Sequence, residues 1–168
     1  MKFAMYNRFK TIDFYGRGPW ENYCDRNSAA MVGHYVQNVA DQYHYGYVRP
    51  QESGTHTDMR YMKILDRAGC GLEVTAPGGF SASALPFSMR QLDCMEHGTP
   101  ARENPTNMQA GEARHSMDLV PDGKTYVNID LAQMGIGGED SWGRWPLEKY
   151  RLPAQPRTFR FTLSPVVD

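Results

Sequence analysis

The 168-residue chain has few cysteines, almost no net charge and no long apolar run. Cys24, Cys70 and Cys94 are odd in number and lack C-x-x-C spacing, which argues against a disulfide framework or a zinc site. We therefore predict buried thiols in a reducing compartment. Eighteen Lys and Arg residues against nineteen Asp and Glu residues give a net charge of −1, too little to attract nucleic acid or an anionic membrane.

Two further absences concern the membrane. No stretch approaches the roughly 18 apolar residues of a membrane span, and the N-terminus lacks the zones of a signal peptide. We therefore predict a soluble chain with no membrane or nucleic-acid partner, cytoplasmic unless the parent protein is exported. The near-neutral charge suits a neutral ligand. The length predicts one domain, residues 1–168, that buries roughly two-thirds of its unfolded surface.

Alternating apolar and polar residues dominate the chain, and this pattern predicts strands buried on one face. It occurs around Ile12, Val74, Leu119, Ile129 and Phe161. Residues 44–48, 59–65 and 80–85 are predicted as further strands, and Pro and Gly turns separate the runs. The sequence therefore predicts an all-β fold, an antiparallel β-sandwich in one continuous domain.

Little of the chain departs from this strand pattern. Only residues 25–32 suggest a helix, with Asp25 as a possible N-cap and Gly33 after its end. Residues 96–112 are polar, rich in Asn, Pro and Gly, and without periodicity. We predict a short connecting helix for the first segment and a long surface loop for the second.

Residues 15–26 form the first motif, with the spacing G-R-G-P-x-E-N-Y-x-D-R. Its glycines and proline shape a turn, and its charges alternate in sign. Arginine and carboxylate groups at a chain reversal can satisfy one another. A structural corner held by ion pairs is therefore favoured over direct ligand contact.

Residues 49–61 form the second motif, a turn followed by the start of a strand. Glu52 and His56 could act there as an acid and base pair. A single histidine beside a turn is more often a hydrogen-bonded surface group, and this interpretation is favoured.

Residues 134–142 form the third motif, a glycine-rich loop with two acids before Trp142. A phosphate site is disfavoured because no Lys-Ser or Lys-Thr follows and the carboxylates would repel phosphate. A metal site at Glu139 and Asp140 lacks further ligands at useful spacing. From the residues alone, the simpler interpretation of Trp142 is a core residue.

Together, the three motifs make the chain resemble the last, small-chain domain of glycoside hydrolase family two β-galactosidases, from about Phe3 to Phe161. The resemblance implies part of a two-sheet, galactose-mutarotase-like supersandwich, related in shape to the aldose 1-epimerases. It also implies that the chain lacks the N-terminal strands of that domain. Ser53 departs from the family pattern, which has asparagine there.

The resemblance implies a role for the glycine-rich loop. In the family, this loop reaches the active-site pocket, and its tryptophan supports the sugar in the acceptor position. That residue corresponds to Trp142, with Asp140 and Ser141 nearest for hydrogen bonds to hydroxyls. An indole suits the apolar C–H face of a pyranose. Packing under the loop is the simpler interpretation of Trp145.

The resemblance also locates the chemistry outside this chain. Retaining glycosidases use two carboxyl groups about 5–5.5 Å apart. In the family these lie in a (β/α)₈ barrel, which needs roughly 250 residues. We therefore expect no catalytic residue, metal or cofactor here, and an inactive isolated chain that needs the barrel-bearing part of the enzyme. Exposed sheet edges predict a homo-oligomer.

The function implied is that of a fragment or small subunit of a β-galactosidase, an enzyme that hydrolyses terminal non-reducing β-D-galactose residues in β-galactosides. Its ligand would be a galactoside or an acceptor sugar. Two alternatives remain open. One is a free-standing carbohydrate-binding module. The other is an aldose 1-epimerase-like enzyme, with His56 and either Glu52 or Asp140 as its acid and base.

Overall fold

The computed structural model describes residues 1–47, 49–92, 115–137 and 143–167. The strands in these ranges are β1 (Lys2–Tyr6), β2 (Thr11–Gly18), β3 (Met31–Asn38), β4 (His56–Leu65), β5 (Gly71–Leu85), β6 (Lys124–Asp130) and β7 (Thr162–Val166). One helical turn, α1 (Met89–Leu92), and three 3₁₀ turns (Val39–Asp41, Ser116–Asp118, Glu148–Tyr150) complete the described elements. The predicted all-β class is confirmed.

All seven of these strands join one antiparallel sheet, in the order β1-β6-β5-β4-β2-β3, with β7 beside β5. Strand β5 is long enough to pair with two strands along one of its edges. Its first part pairs with β7 and its last part with β6, while β4 runs along the other edge. A sheet with one buried face is the unit from which antiparallel sandwiches are built, in agreement with the predicted architecture.

The core lies on one face of the sheet, where the alternating apolar residues meet. Phe159 and Phe161 precede β7 and pack against this cluster from outside the strands. The buried members contributed by β2, β4, β5 and β6 include Ile12, Phe14, Met62, Ile64, Val74, Val127 and Ile129. The period-two pattern therefore identified the buried face correctly.

The predicted helix at residues 25–32 is wrong. Tyr23 and Arg26 close a tight turn by exchanging backbone hydrogen bonds of 3.2 and 2.8 Å, and β3 begins at Met31. The carboxylate of Asp25 binds a distant segment instead of capping a helix. Asp is favoured both at N-caps and in turns, so the local sequence did not separate these outcomes.

Other local predictions also need correction. Residues 44–47 form turns and bends, not a strand, and the segment around Leu119 contains the 3₁₀ turn Ser116–Asp118 with Met117 80% exposed. Short runs can alternate by chance without a partner strand. The predicted loop at residues 96–112 is outside the described residues.

The prediction of buried thiols fails for Cys24, which is exposed, and Cys70 is half-buried. Cys94 is outside the described residues. In the described part of the chain, no helix has the length and apolar character needed to cross a membrane.

Candidate functional site

The glycine-rich loop follows β6, and its first residues are held from two sides. Asp25 Oδ1 accepts a hydrogen bond from the Ile136 N–H at 3.1 Å, and Asp25 Oδ2 accepts one from the Gly137 N–H at 2.8 Å. The Gly135 N–H donates to the Tyr150 carbonyl at 2.8 Å. Asp25, from the first motif, therefore fixes the start of the third motif, residues 135–137, which we call the loop root.

This packing leaves no room for a side chain at the loop root. A Cβ added to Gly135 would lie 2.6 Å from Asp25 Oδ2 and 2.9 Å from the Tyr150 Cβ. Gly137 has a φ of +73°, in the left-handed region that favours glycine. Local packing and backbone conformation thus explain why two positions of the motif are glycine, without any ligand.

A groove of about 270 Å³ lies beside the loop root. Trp145 lines it and is 64% exposed, so the interpretation of this ring as packing under the loop is wrong. The Arg151 guanidinium lies 5.7 Å from the Trp145 ring centre and donates through Nε to the Pro146 carbonyl at 2.7 Å. The other residues that line the groove are Asp25, Gly137, Arg144, Pro146, Leu147 and Tyr150.

The predicted carbohydrate-binding residues Trp142, Asp140 and Ser141 are outside the described residues, and so is Glu139. The structure describes the loop up to Gly137 and again from Gly143. The roles of these side chains stay predictions.

The first motif forms a polar corner around the carboxylate of Glu21. This group accepts hydrogen bonds from Arg26 at 2.5 Å, from the Gly54 N–H at 2.7 Å and from the Tyr47 hydroxyl. Burial opposes ionisation, but these hydrogen bonds hold the pKa of Glu21 below its usual value. Arg17 pairs with Asp58 at 2.5 Å. The predicted corner held by ion pairs is confirmed.

The second motif adds Glu52 to the corner. The Tyr23 and Thr55 hydroxyls each donate to its carboxylate at 2.6 Å. Burial raises the pKa of Glu52, and burial together with the neighbouring acids raises the pKa of Tyr23. The Gln133 amide donates to Thr55 Oγ1 at 3.3 Å and to Asp130 at 3.1 Å. A hydrogen-bonded chain therefore connects the corner to the end of β6.

His56 lies in the interior, 1% exposed, so its interpretation as a surface group is wrong although it is hydrogen-bonded as expected. Its Nδ1 lies 3.0 Å from the Arg17 carbonyl oxygen, and its Nε2 lies 2.8 Å from Gln42 Oε1. Burial lowers the pKa of His56 to about 4. Since the polar atoms of His56 and Glu52 contact other groups, the geometry gives an acid and base pair no support.

Ser53, which departs from the family pattern, is buried, and its Oγ accepts a hydrogen bond from the His44 N–H at 3.1 Å. Among the described residues, no group of three or more His, Cys, Asp or Glu side chains is arranged to hold a metal ion.

A family model described as "Beta galactosidase small chain" matches residues 1–163. The chain belongs to the β-galactosidase small-chain family. Relatives of this small chain include a β-galactosidase of Priestia megaterium, 32% identical over 99% of this chain and 14% of the relative. The β-galactosidase BgaC of Bifidobacterium adolescentis is 32% identical over 98% of this chain and 14% of its own length. A β-galactosidase of Lactobacillus delbrueckii subsp. bulgaricus is 33% identical over 92% and 13%, respectively.

The small chain thus spans about one-seventh of the length of the curated relatives it matches. Sequence reasoning found the glycine-rich loop of this family but missed the contact between Asp25 and the loop root. The two segments are 111 residues apart, and no local pattern signals their contact. The exposure of Trp145 was missed because a tryptophan beside a loop is usually buried.

Proposed function

We propose that this small chain completes the acceptor-sugar site of a β-galactosidase that hydrolyses terminal non-reducing β-D-galactose residues in β-galactosides. In this proposal, Trp142 stacks on the acceptor sugar, and Asp140 and Ser141 bind its hydroxyls. The observation that carries it is the double anchoring of the loop root, by Asp25 and by the Tyr150 carbonyl, in a chain of this family. A loop fixed at its base loses less conformational entropy when its ring binds a ligand.

The proposal assigns the bond-breaking chemistry to the barrel-bearing part of the enzyme. Glu21 and Glu52 accept hydrogen bonds from tyrosine, threonine, arginine and backbone donors, which suits a structural role better than proton transfer. The small chain would then orient the sugar that leaves or accepts, and its effect on rate would come from positioning. The isolated chain would be inactive.

The proposal includes partners at the sheet edge. Among the described strands, β3 pairs with β2 alone, and it exposes Met31, Val32 and Val36. An unpaired edge with exposed apolar residues supports contact with the catalytic part and the predicted homo-oligomer.

The proposal is tested by Trp142→Ala in the assembled enzyme, with a nitrophenyl galactoside as donor and glucose as acceptor. We expect the half-saturating glucose concentration for galactosyl transfer to rise roughly tenfold, equivalent to about 1.4 kcal/mol of acceptor binding. Nitrophenol release should change much less, because this step does not use the acceptor. Equal losses in transfer and release would reject the platform role.

Two controls separate stacking from general damage. Trp142→Phe keeps a ring and should retain part of the acceptor binding. Tyr6→Ala removes another aromatic ring, 78% exposed, at the end of the β1–β6 pair opposite the loop, and should leave transfer unchanged. Millimolar or tighter binding of lactose by the isolated chain would instead indicate a free-standing sugar-binding module.

A further inference from the structure

The groove beside the loop root contains an aromatic ring that the proposed Trp142 platform leaves unused. Trp145 is 64% exposed although indole is among the largest apolar groups a core can bury. The Trp145 ring is therefore not part of the buried core. Exposed tryptophans beside polar groups are typical of surfaces that bind ligands.

The ring is held in place without a ligand. Arg151 is fixed by its 2.7 Å hydrogen bond to the Pro146 carbonyl, and its guanidinium lies 5.7 Å from the Trp145 ring centre. A cation near an indole attracts the ring electrostatically. This contact favours one orientation of Trp145 before a ligand binds.

The groove also offers a fixed hydrogen-bond acceptor. Each oxygen of the Asp25 carboxylate accepts one backbone N–H from the loop root, and each keeps a further lone pair. Asp25 and Tyr150 both line the groove. An apolar ring beside a positioned carboxylate and the Arg144 side chain, which also lines the groove, suits the C–H face and the hydroxyls of a sugar.

We propose that the Trp145 groove is a second acceptor subsite, which binds the next sugar of an oligosaccharide whose first sugar lies on Trp142. This assignment rests on the proposed function. Trp145 follows Trp142 by three positions in the sequence, and three residues of chain span at most about 10–11 Å. In the proposal, two linked sugars cover this span, and the groove of about 270 Å³ limits its own occupant to a small group.

The test compares a monosaccharide with a disaccharide acceptor in the assembled enzyme, with glucose and cellobiose as acceptors, neither of them a galactoside, and a nitrophenyl galactoside as donor. For Trp145→Ala, we expect the half-saturating cellobiose concentration for galactosyl transfer to rise about fivefold because one stacked ring is lost, with the value for glucose unchanged. Trp145→Phe should recover part of the loss in cellobiose binding. Trp142→Ala should raise both values.

The outcomes separate this proposal from the one on which it rests. If Trp142→Ala impairs both acceptors while Trp145→Ala affects neither, or affects both equally, the second subsite is rejected and the platform stands. If Trp142→Ala affects neither acceptor, the platform itself is rejected. If Trp145→Ala abolishes assembly with the catalytic part, measured by light scattering, the groove is a protein contact and the subsite is overturned.

Discussion

The polar corner and the loop root lie next to each other but differ in what they expose to solvent. In the corner, Glu21, Tyr23 and Glu52 satisfy one another and their neighbours, so few of their polar atoms remain for a ligand. Beside the loop root, Trp145 and Leu147 stay exposed. The difference teaches that many charged residues in a recognisable motif do not make a binding site. Exposed apolar surface beside a fixed backbone is the more useful signal.

The largest expected effect comes from breaking the corner at Asn22, which is 1% exposed. Its amide donates to the Arg17 and Trp20 carbonyls at 3.0 and 3.1 Å, and its oxygen accepts from the Thr57 N–H at 3.1 Å and hydroxyl at 2.5 Å. Asn22→Ala would remove the acceptor of the buried Thr57 N–H and hydroxyl. We expect a loss on the order of 3–5 kcal/mol in the free energy of unfolding, measured by urea denaturation.

Asn38→Ala is the matched control. Asn38 is exposed, and its amide donates to Asp41 at 3.0 Å, where water can replace it. The free energy of unfolding should fall by less than about 0.5 kcal/mol. Similar losses in both variants would contradict the view that the corner is a structural unit.

The next effect is a pH dependence from His56. The folded pKa of about 4 lies below the usual value of 6.5, because burial disfavours the charged ring. Stability from the neutral ring is full above pH 6.5 and is lost as the pH falls from 6.5 toward 4. The total is on the order of 3 kcal/mol. Urea denaturation between pH 7.5 and 4.5 measures it.

Burial raises the pKa of Glu52, which also contributes to the pH dependence, whereas the pKa of Glu21 is lowered. The comparison with His56→Gln cancels their contributions, since both proteins contain these carboxyls. The difference in unfolding free energy between the two proteins should shrink as the pH falls below 6.5. A difference that stays constant would mean that the folded and unfolded pKa values of His56 are equal.

The fold could be predicted from the sequence because strand burial has a local signature. Ile12, Val74 and Ile129 alternate with polar neighbours and lie in the core. The corner could also be predicted, because opposite charges close together at a turn form ion pairs. In contrast, the long β5, with two partners on one edge, depends on pairings that no local window contains.

The candidate site could be predicted only in part. The glycines and the tryptophan of the third motif are visible in the sequence, but the residues that hold the loop are distant in the chain. Asp25 suits a helix cap, a turn or an anchor equally well, and tertiary contacts select the anchor. The positions of Trp142, Asp140 and Ser141 relative to a sugar depend on the rest of the enzyme, so these residues stay predictions.

Apart from the Asn38 control, the smallest expected effect on stability comes from Asp25, which connects the two regions. Its hydrogen bonds to the N–H groups of Ile136 and Gly137 are exposed, so water can replace the carboxylate in Asp25→Ala. We expect the free energy of unfolding to fall by only about 1 kcal/mol. Hydrogen exchange at these two amides should nevertheless accelerate, because the loop root loses its anchor.

The function should respond more strongly than the stability. Asp25→Ala in the assembled enzyme should raise the half-saturating glucose concentration for galactosyl transfer, while nitrophenol release stays nearly unchanged. Asp25→Asn keeps one acceptor oxygen and should give an intermediate value. If the amide hydrogen exchange and the galactosyl transfer of both variants match those of the parent protein, the loop does not depend on the corner, and the two regions are independent. If stability falls as far as in Asn22→Ala, Asp25 belongs to the corner itself, and an effect on transfer then follows from unfolding and not from the loop.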